Sequence, residues 1–188
     1  IFKILNFFFK EKMSLSVIGK AMLSLTSFFS EPHVFGMTNG VAGICYVLMH
    51  FEEVLQNNPE WEALIKNTLE FFMSTRQSNN HYRSYLSKET NIVQFCSGTT
   101  SAVFLLARAY KYFKDFKYLK AAEEACDVIW QEGLLKRGSS LCHGIAGNGY
   151  AFLIMYKLSQ DSKYLHRAMK FAEAASRYFG YGIIDSSK

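Results

Sequence analysis

An all-α fold built from repeated helical hairpins is what this 188-residue sequence predicts, on three observations. The segment beginning at Cys96, "CSGTTSAVFLLARAYKYFKDFKYLKAA", aligns with the segment beginning at Cys142, "CHGIAGNGYAFLIMYKLSQDSKYLHRA", at a shift of 46 residues. Cys96 falls on Cys142, Gly98 on Gly144, Phe104 on Tyr150, Leu106 on Phe152, and the "KYL" of 117–119 on that of 163–165. A period of this size marks stacked supersecondary units. Apolar residues recur at three- and four-residue spacing through 102–113, 118–130, 150–158 and 164–175, the stripe of a helix with one buried face. Only two prolines occur, and apolar/polar alternation of the strand type is scarce.

Taken along the chain, residues 1–33 match the repeat poorly, and the repeat domain is expected over 34–188. The opening "IFKILNFFFKEK" is broken by Lys3 and Lys10, and the longest uncharged run near it, Ala21 to Ser30, is half the length of a spanning helix. No integral membrane segment is expected. With Met13 as a candidate initiator, residues 1–12 read as part of a longer parent or as misread sequence. The first hairpin begins with "GVAGICYVLMHFEEVL" at Gly40, where Gly43 is expected to open a helix, and Pro59 marks a second helix near Glu60–Ser74. "IVQFC" at 92–96 is a short extended candidate, followed by the hairpins that start at Cys96 and Cys142. Such hairpins either stack into an open solenoid or close into a ring of paired helices, and periodicity is compatible with both. In either case the glycine turns fall on one face, where helix N-termini are expected to offer N–H groups to an anion.

Composition narrows the function classes. Nearly half the residues are apolar, with 17 Phe and 11 Tyr, enough for a substantial core and too hydrophobic for disorder. The net charge of +5 comes from Lys and Arg scattered among acids, so no arm for nucleic acid is expected, while a modest preference for small anions is. The four cysteines, at 45, 96, 126 and 142, form no dense disulfide framework, and there is no recognisable signal peptide. A reducing, cytoplasmic setting is the expectation.

Zinc takes three or four N or S ligands in tetrahedral geometry, and two thiolates with one imidazole leave a position open. Cys96, Cys142 and His143 supply that set. Neighbouring residues in a helix point about 100° apart and rarely share an ion. In a turn before a helix they can, and Gly144 and Gly147 are expected to let the chain bend there. The repeat brings Cys96 to the matching place in the adjacent hairpin. Register alone leaves two readings open, a metal site or two core thiols beside a hydrogen-bonded imidazole. Cys45, within "ICYVLM", and Cys126, within "AEEACDVIW", read as core residues.

The wording of the motifs goes further. "NGVAGICYVLM", "VQFCSG", "VIWQEGLLK", "GLLKRGSSLCHG" and "LCHGIAGNGYAFL", in this order between about Val34 and Gly180, resemble the lanthionine synthetase C-like family in its eukaryotic form. The resemblance implies an α/α toroid, a double ring of helices, of which this chain holds only part, since the family continues past "YGIIDSSK". It implies Zn2+ held by Cys96, Cys142 and His143. It further implies that glutathione binds and that its thiol adds to dehydroalanine or dehydrobutyrine in a dehydrated peptide or protein substrate. The family's lysine five residues before the second zinc cysteine corresponds to Arg137, next to Lys136, a basic pair suited to glutathione carboxylates.

Departures from the family pattern are equally specific. Where the family carries histidines before the first glycine motif and after the first zinc cysteine, this chain has Asn39 and Ser97, and "GAPG" is replaced by "GTTS" at 98–101. No catalytic acid or base is therefore assigned, and acid–base help of this kind is worth about 10² to 10⁴ in rate. The alternative reading is a catalytically impaired scaffold that keeps zinc and glutathione. A third, a prenyl-transferring or carbohydrate-cleaving toroid enzyme, has little support, because Asp115, Asp127 and Asp161 lie outside the glycine turns.

Overall fold

A computed structural model describes residues 34–87 and 89–180; the segment 1–33, residue 88 and residues 181–188 lie outside the described residues. The expected boundary at 33/34 therefore falls at the edge of what is described. The elements run α1 (Val41–Leu48), α2 (Glu52–Gln56), α3 (Pro59–Ser74), β1 (Val93–Gln94), β2 (Ser97–Gly98), α4 (Thr99–Phe113), α5 (Phe116–Glu132), α6 (Ile145–Ser159) and α7 (Ser162–Gly180). Every expected helix is present. Two details differ: the single-turn α2 carries no amphipathic signature, and α1 begins at Val41 with Gly40 as its N-cap, so Gly43 lies inside the helix and does not open it.

Packing follows from which faces are apolar. Helices α1, α4 and α6 touch in series, while α3, α5 and α7 lie against α1, α4 and α6 respectively. Helix α4 is gripped by neighbours on several sides, and Thr99 through Ala109 are all buried. Helix α5 buries only Tyr118, Ala121, Ala122, Ala125, Cys126, Val128 and Ile129, the one-sided stripe of an outer helix. Within the last hairpin Phe152 meets Phe171 edge-on at 5.1 Å between ring centres, and Trp130 of α5 packs against both from the preceding hairpin. Full burial of a side chain such as Phe152 contributes about 1.5–3 kcal/mol.

The 46-residue repeat holds down to backbone angles. Lys114 and Gln160, each ending an inner helix, are both left-handed at φ 58°. The next residues, Asp115 and Asp161, accept hydrogen bonds from the N–H of Lys117 and Lys163 at 3.1 and 2.9 Å. The following tyrosines, Tyr118 and Tyr164, are both buried. Asp127 pairs with Arg167 at 2.7 Å. Two of the aspartates thus start outer helices and the third fastens α5 to α7, so they form no catalytic carboxylate pair. No described helix is long and apolar enough to cross a membrane.

Candidate metal centre

The turn before each inner helix is built on one pattern. Val41, Thr99 and Ile145, the first residues of α1, α4 and α6, each donate their N–H to the carbonyl seven residues back, on Val34, Ile92 and Gly138, at 3.0, 2.9 and 3.0 Å. A Cβ on the capping glycines Gly40, Gly98 or Gly144 would stand 2.4, 2.0 or 2.4 Å from the carbonyl oxygen six residues back, so the loop closes tightly only over glycine. Gly98 also has φ +78°, a backbone conformation strained for any side chain. The first N–H of each of these three inner helices is thereby occupied, so these groups are not among those the helix N-termini offer to an anion.

This closure sets three triplets in equivalent places: Thr38-Asn39-Gly40, Cys96-Ser97-Gly98 and Cys142-His143-Gly144. Cys96 occupies the two-residue turn between β1 and β2, whose register pairs Val93 with Gly98 and Gln94 with Ser97. The peptide N–H of Cys96 donates to the Cys142 carbonyl at 3.3 Å, and the Cys96 carbonyl accepts from Met37 at 2.9 Å and Thr38 at 3.4 Å. Cys96 is thus the link between the first turn and the third. Gly147 sits within α6 and does not bend the chain; a Cβ there would meet the Leu141 carbonyl at 2.0 Å and Phe95 at 2.9 Å, so the residue serves close packing.

One ligand atom each from Cys96, Cys142 and His143 lies within 4.8 Å of the others. The two cysteines are half-buried and His143 is exposed, so the cluster opens to solvent on the imidazole side. Burial, and then the hydrogen bond with the Cys142 thiol, push the Cys96 thiol up to about 11. The Cys96 Sγ also lies 3.7 Å from Gln94 Oε1. Tetrahedral zinc with bonds of about 2.3 Å sets two thiolates about 3.8 Å apart, a separation inside the 4.8 Å span of these ligand atoms. In number, type and convergence the donors fit zinc. Cys45 and Cys126, by contrast, are buried within α1 and α5, with their thiols pushed upward by burial.

The remaining sequence candidates are not among the three clustered donors. Asn39 is exposed and Ser97 half-buried, each at the position that His143 fills in the third turn. Lys136 and Arg137 form an exposed turn beyond α5, and neither joins an ion pair among the described residues. The loop they begin is tied down on both sides, the Lys136 carbonyl accepting from Tyr178 at 2.8 Å and the Gly138 carbonyl from Ile145. A cleft of about 510 Å³ opens at the other end of α1, α4 and α6, lined by His50, Arg108, Lys111 and Lys157 among others, and none of the three donors borders it. Lysines at helix C-termini complement the helix dipole, and Arg108 is engaged by the Met49 carbonyl and Glu52.

Two buried polar residues escaped the sequence reading. His81 shares hydrogen bonds with Thr99 and Glu132, both at 3.1 Å, and nothing in the sequence around it signals this role. Asn148, fully buried in α6, donates to the carbonyls of Val93 and Gly133 at 3.0 and 2.8 Å and accepts from the Thr100 hydroxyl at 2.6 Å. Its one available signal was a lone amide in the small and apolar run "GIAGNGYAFL".

Comparison with known proteins bears on this arrangement. The sequence profile of lanthionine synthetase C-like proteins matches residues 10–183. The glutathione S-transferase LANCL1 of Danio rerio is 34% identical over 155 residues, covering 82% of this chain and 38% of the relative. The LanC-like protein GCL1 of Arabidopsis thaliana is 37% identical over 155 residues, covering 79% of this chain and 34% of the relative. The chain therefore spans little more than a third of the length of these relatives. Among solved structures, nisin cyclase superposes with a TM-score of 0.68 at 12% identity, covering 83% of this chain and 42% of that one, a likeness of fold alone.

Proposed function

The chain belongs to the lanthionine synthetase C-like protein family, and on that premise we propose that it binds zinc and glutathione and adds the glutathione thiol to dehydroalanine or dehydrobutyrine residues. The observation that carries this reading is the convergence of Cys96, Cys142 and His143, from two separate turns, to within 4.8 Å. A glutathione S-transferase among the relatives supports the choice of thiol. Zinc bound there supplies a Lewis acid that lowers the pKa of a thiol, so that a nucleophilic thiolate exists at neutral pH.

The chain's own residues do the rest. Cys96 and Cys142, both half-buried, and the exposed His143 would hold the ion, three donors that would leave one position of a tetrahedral zinc for a thiol. Arg137 and Lys136 hold the glutathione carboxylates from the adjoining loop. In the addition a sulfur–carbon bond forms at the β-carbon of the alkene, the π bond breaks, and the α-carbon takes a proton. Neither Asn39 nor Ser97 exchanges a proton at neutral pH, so that proton comes from solvent. We place the reaction in a reducing, cytoplasmic setting, in a domain over 34–188 that forms an arc of a larger ring of helices.

Zinc analysis of the purified full chain is the first test, with about one ion per chain expected and less than about a tenth, unchanged by Cys142→Ala, sinking the site. The second is incubation with glutathione and a dehydrobutyrine peptide, where thioether formation abolished by a chelator supports the enzyme. Zinc and glutathione binding without turnover would instead favour the scaffold reading, for which Asn39 and Ser97 are the specific grounds.

A further inference from the structure

We infer that Asn148 is the positioning residue that sets Cys96 opposite Cys142, before any metal binds. The inference rests on the reading of these cysteines as the site, and it adds the group that builds it. Asn148 lies in the first turns of α6, four residues after Gly144, on the helix that follows Cys142 and His143 directly. Its amide grips both arms of the hairpin carrying Cys96: the Val93 carbonyl on β1, three residues before the cysteine, and the Thr100 hydroxyl at the start of α4, four residues after it. The remaining N–H holds the carbonyl of Gly133, where the loop toward Lys136 and Arg137 departs. Two carbonyl partners demand the NH2 group and the hydroxyl donates to the oxygen, so the amide has one orientation that satisfies all three.

The repeat shows that this is not a general requirement of the fold. Counting four residues from the equivalent capping glycines Gly40 and Gly98 reaches Ile44 and Ala102, both apolar. The amide occurs only in the copy whose turn carries the cysteine and histidine together. A buried amide with every partner made is costly to disturb, because each partner left behind is also buried.

The test uses the full chain, freed of metal and treated with diamide, with the Cys96–Cys142 disulfide followed by peptide mass spectrometry. Two thiols lose two protons and two electrons while the diazene is reduced to the hydrazine; Cys45 and Cys126, fully buried, stay out of the reaction. Cobalt(II) titration gives a second readout, the intensity of the thiolate charge-transfer band. Asn148→Asp and Asn148→Ala are expected to slow the cross-link and weaken cobalt binding by about tenfold or more, the usual effect of losing a group that orients metal ligands. Thr100→Val should shift both in the same direction by less. Met155→Ala, a cavity elsewhere in α6, should lower the melting temperature yet change the cross-linking rate by less than about twofold.

Wild-type rates in folded Asn148 variants overturn the inference, as does a Thr100→Val chain with an unchanged cross-linking rate if both Asn148 variants fail to fold. A wild-type chain whose two cysteines never cross-link overturns it directly. One that cross-links readily but takes up no cobalt sinks the metal reading instead, and the cross-linking series alone then decides the role of Asn148.

Discussion

Cys96 keeps its proton well above the ordinary thiol range, pushed up to about 11 by burial and by the neighbouring Cys142 thiol. In the metal-free chain its alkylation by iodoacetamide should therefore be slow at neutral pH and rise as pH climbs toward about 11, with the mapped alkylation rate as the measure. Alkylation of Cys96 that levels off near neutral pH would contradict this environment. At Arg137 the expectation concerns binding alone: Arg137→Ala should raise the glutathione Kd by about tenfold in calorimetry while zinc content stays unchanged, as fits loss of a charge-assisted contact outside the metal shell. At this scale the residues that converge were readable from the sequence, because the repeat register aligns Cys96 with Cys142 and a turn lets His143 join them. Asn148 was not readable, since two of its three partners are backbone carbonyls, which every residue possesses.

Helices and turns show a similar division. Helices α4, α5 and α7 were evident because the 3.6-residue period is a local signal repeated over several turns, while α3 was marked by Pro59 at its start. The single-turn α2 is too short to display a period, and the start of α1 depends on the Val41-to-Val34 closure, not on Gly43. The same closure gives a test of the turns. Gly98→Ala combines φ +78° with a methyl about to meet the Ile92 carbonyl, and should cost about 3 kcal/mol in urea unfolding. Gly138→Ala has φ +91° but nothing within 4 Å, and should cost clearly less. Equal costs would show that the tight approach to the carbonyl does not matter.

For the molecule as a whole, burial of thiols and phenols makes stability sensitive to alkali. Cys45 and Cys126 are pushed far above their ordinary value of 9.0 by burial, and Tyr82 is raised to about 12 for the same cause. As pH rises past 9.0 the unfolded chain releases these thiol protons while the folded chain retains them. The unfolded state then binds fewer protons, so stability is complete below this range and falls by more than about 1 kcal/mol per pH unit above it. Urea midpoints across that range provide the measurement, and Cys126→Ala should make the slope shallower; a flat profile in the parent chain would mean that the thiols are not buried. The helices α1, α4 and α6 touch in series and the fold resembles nisin cyclase, a relation that periodicity alone left open between a solenoid and a ring.

The sequence by itself determined the helical hairpins, the glycine turns at their starts and the identity of the three converging donors. Each of those follows from spacing along one chain: a stripe every three to four residues, glycines in repeat register before the inner helices, and a repeat that returns the same position to the same place. Only the tertiary structure decided that Cys96 bonds back to both neighbouring turns, that the first helix N–H groups are already occupied, and that Asn148 and His81 bind elements far away in sequence. Cys96 and Asn148 reach backbone carbonyls far away in sequence, His81 meets the Thr99 hydroxyl and the Glu132 carboxylate, and the helix-starting N–H groups are taken by carbonyls seven residues back; no local pattern marks such partners until folding brings them within reach.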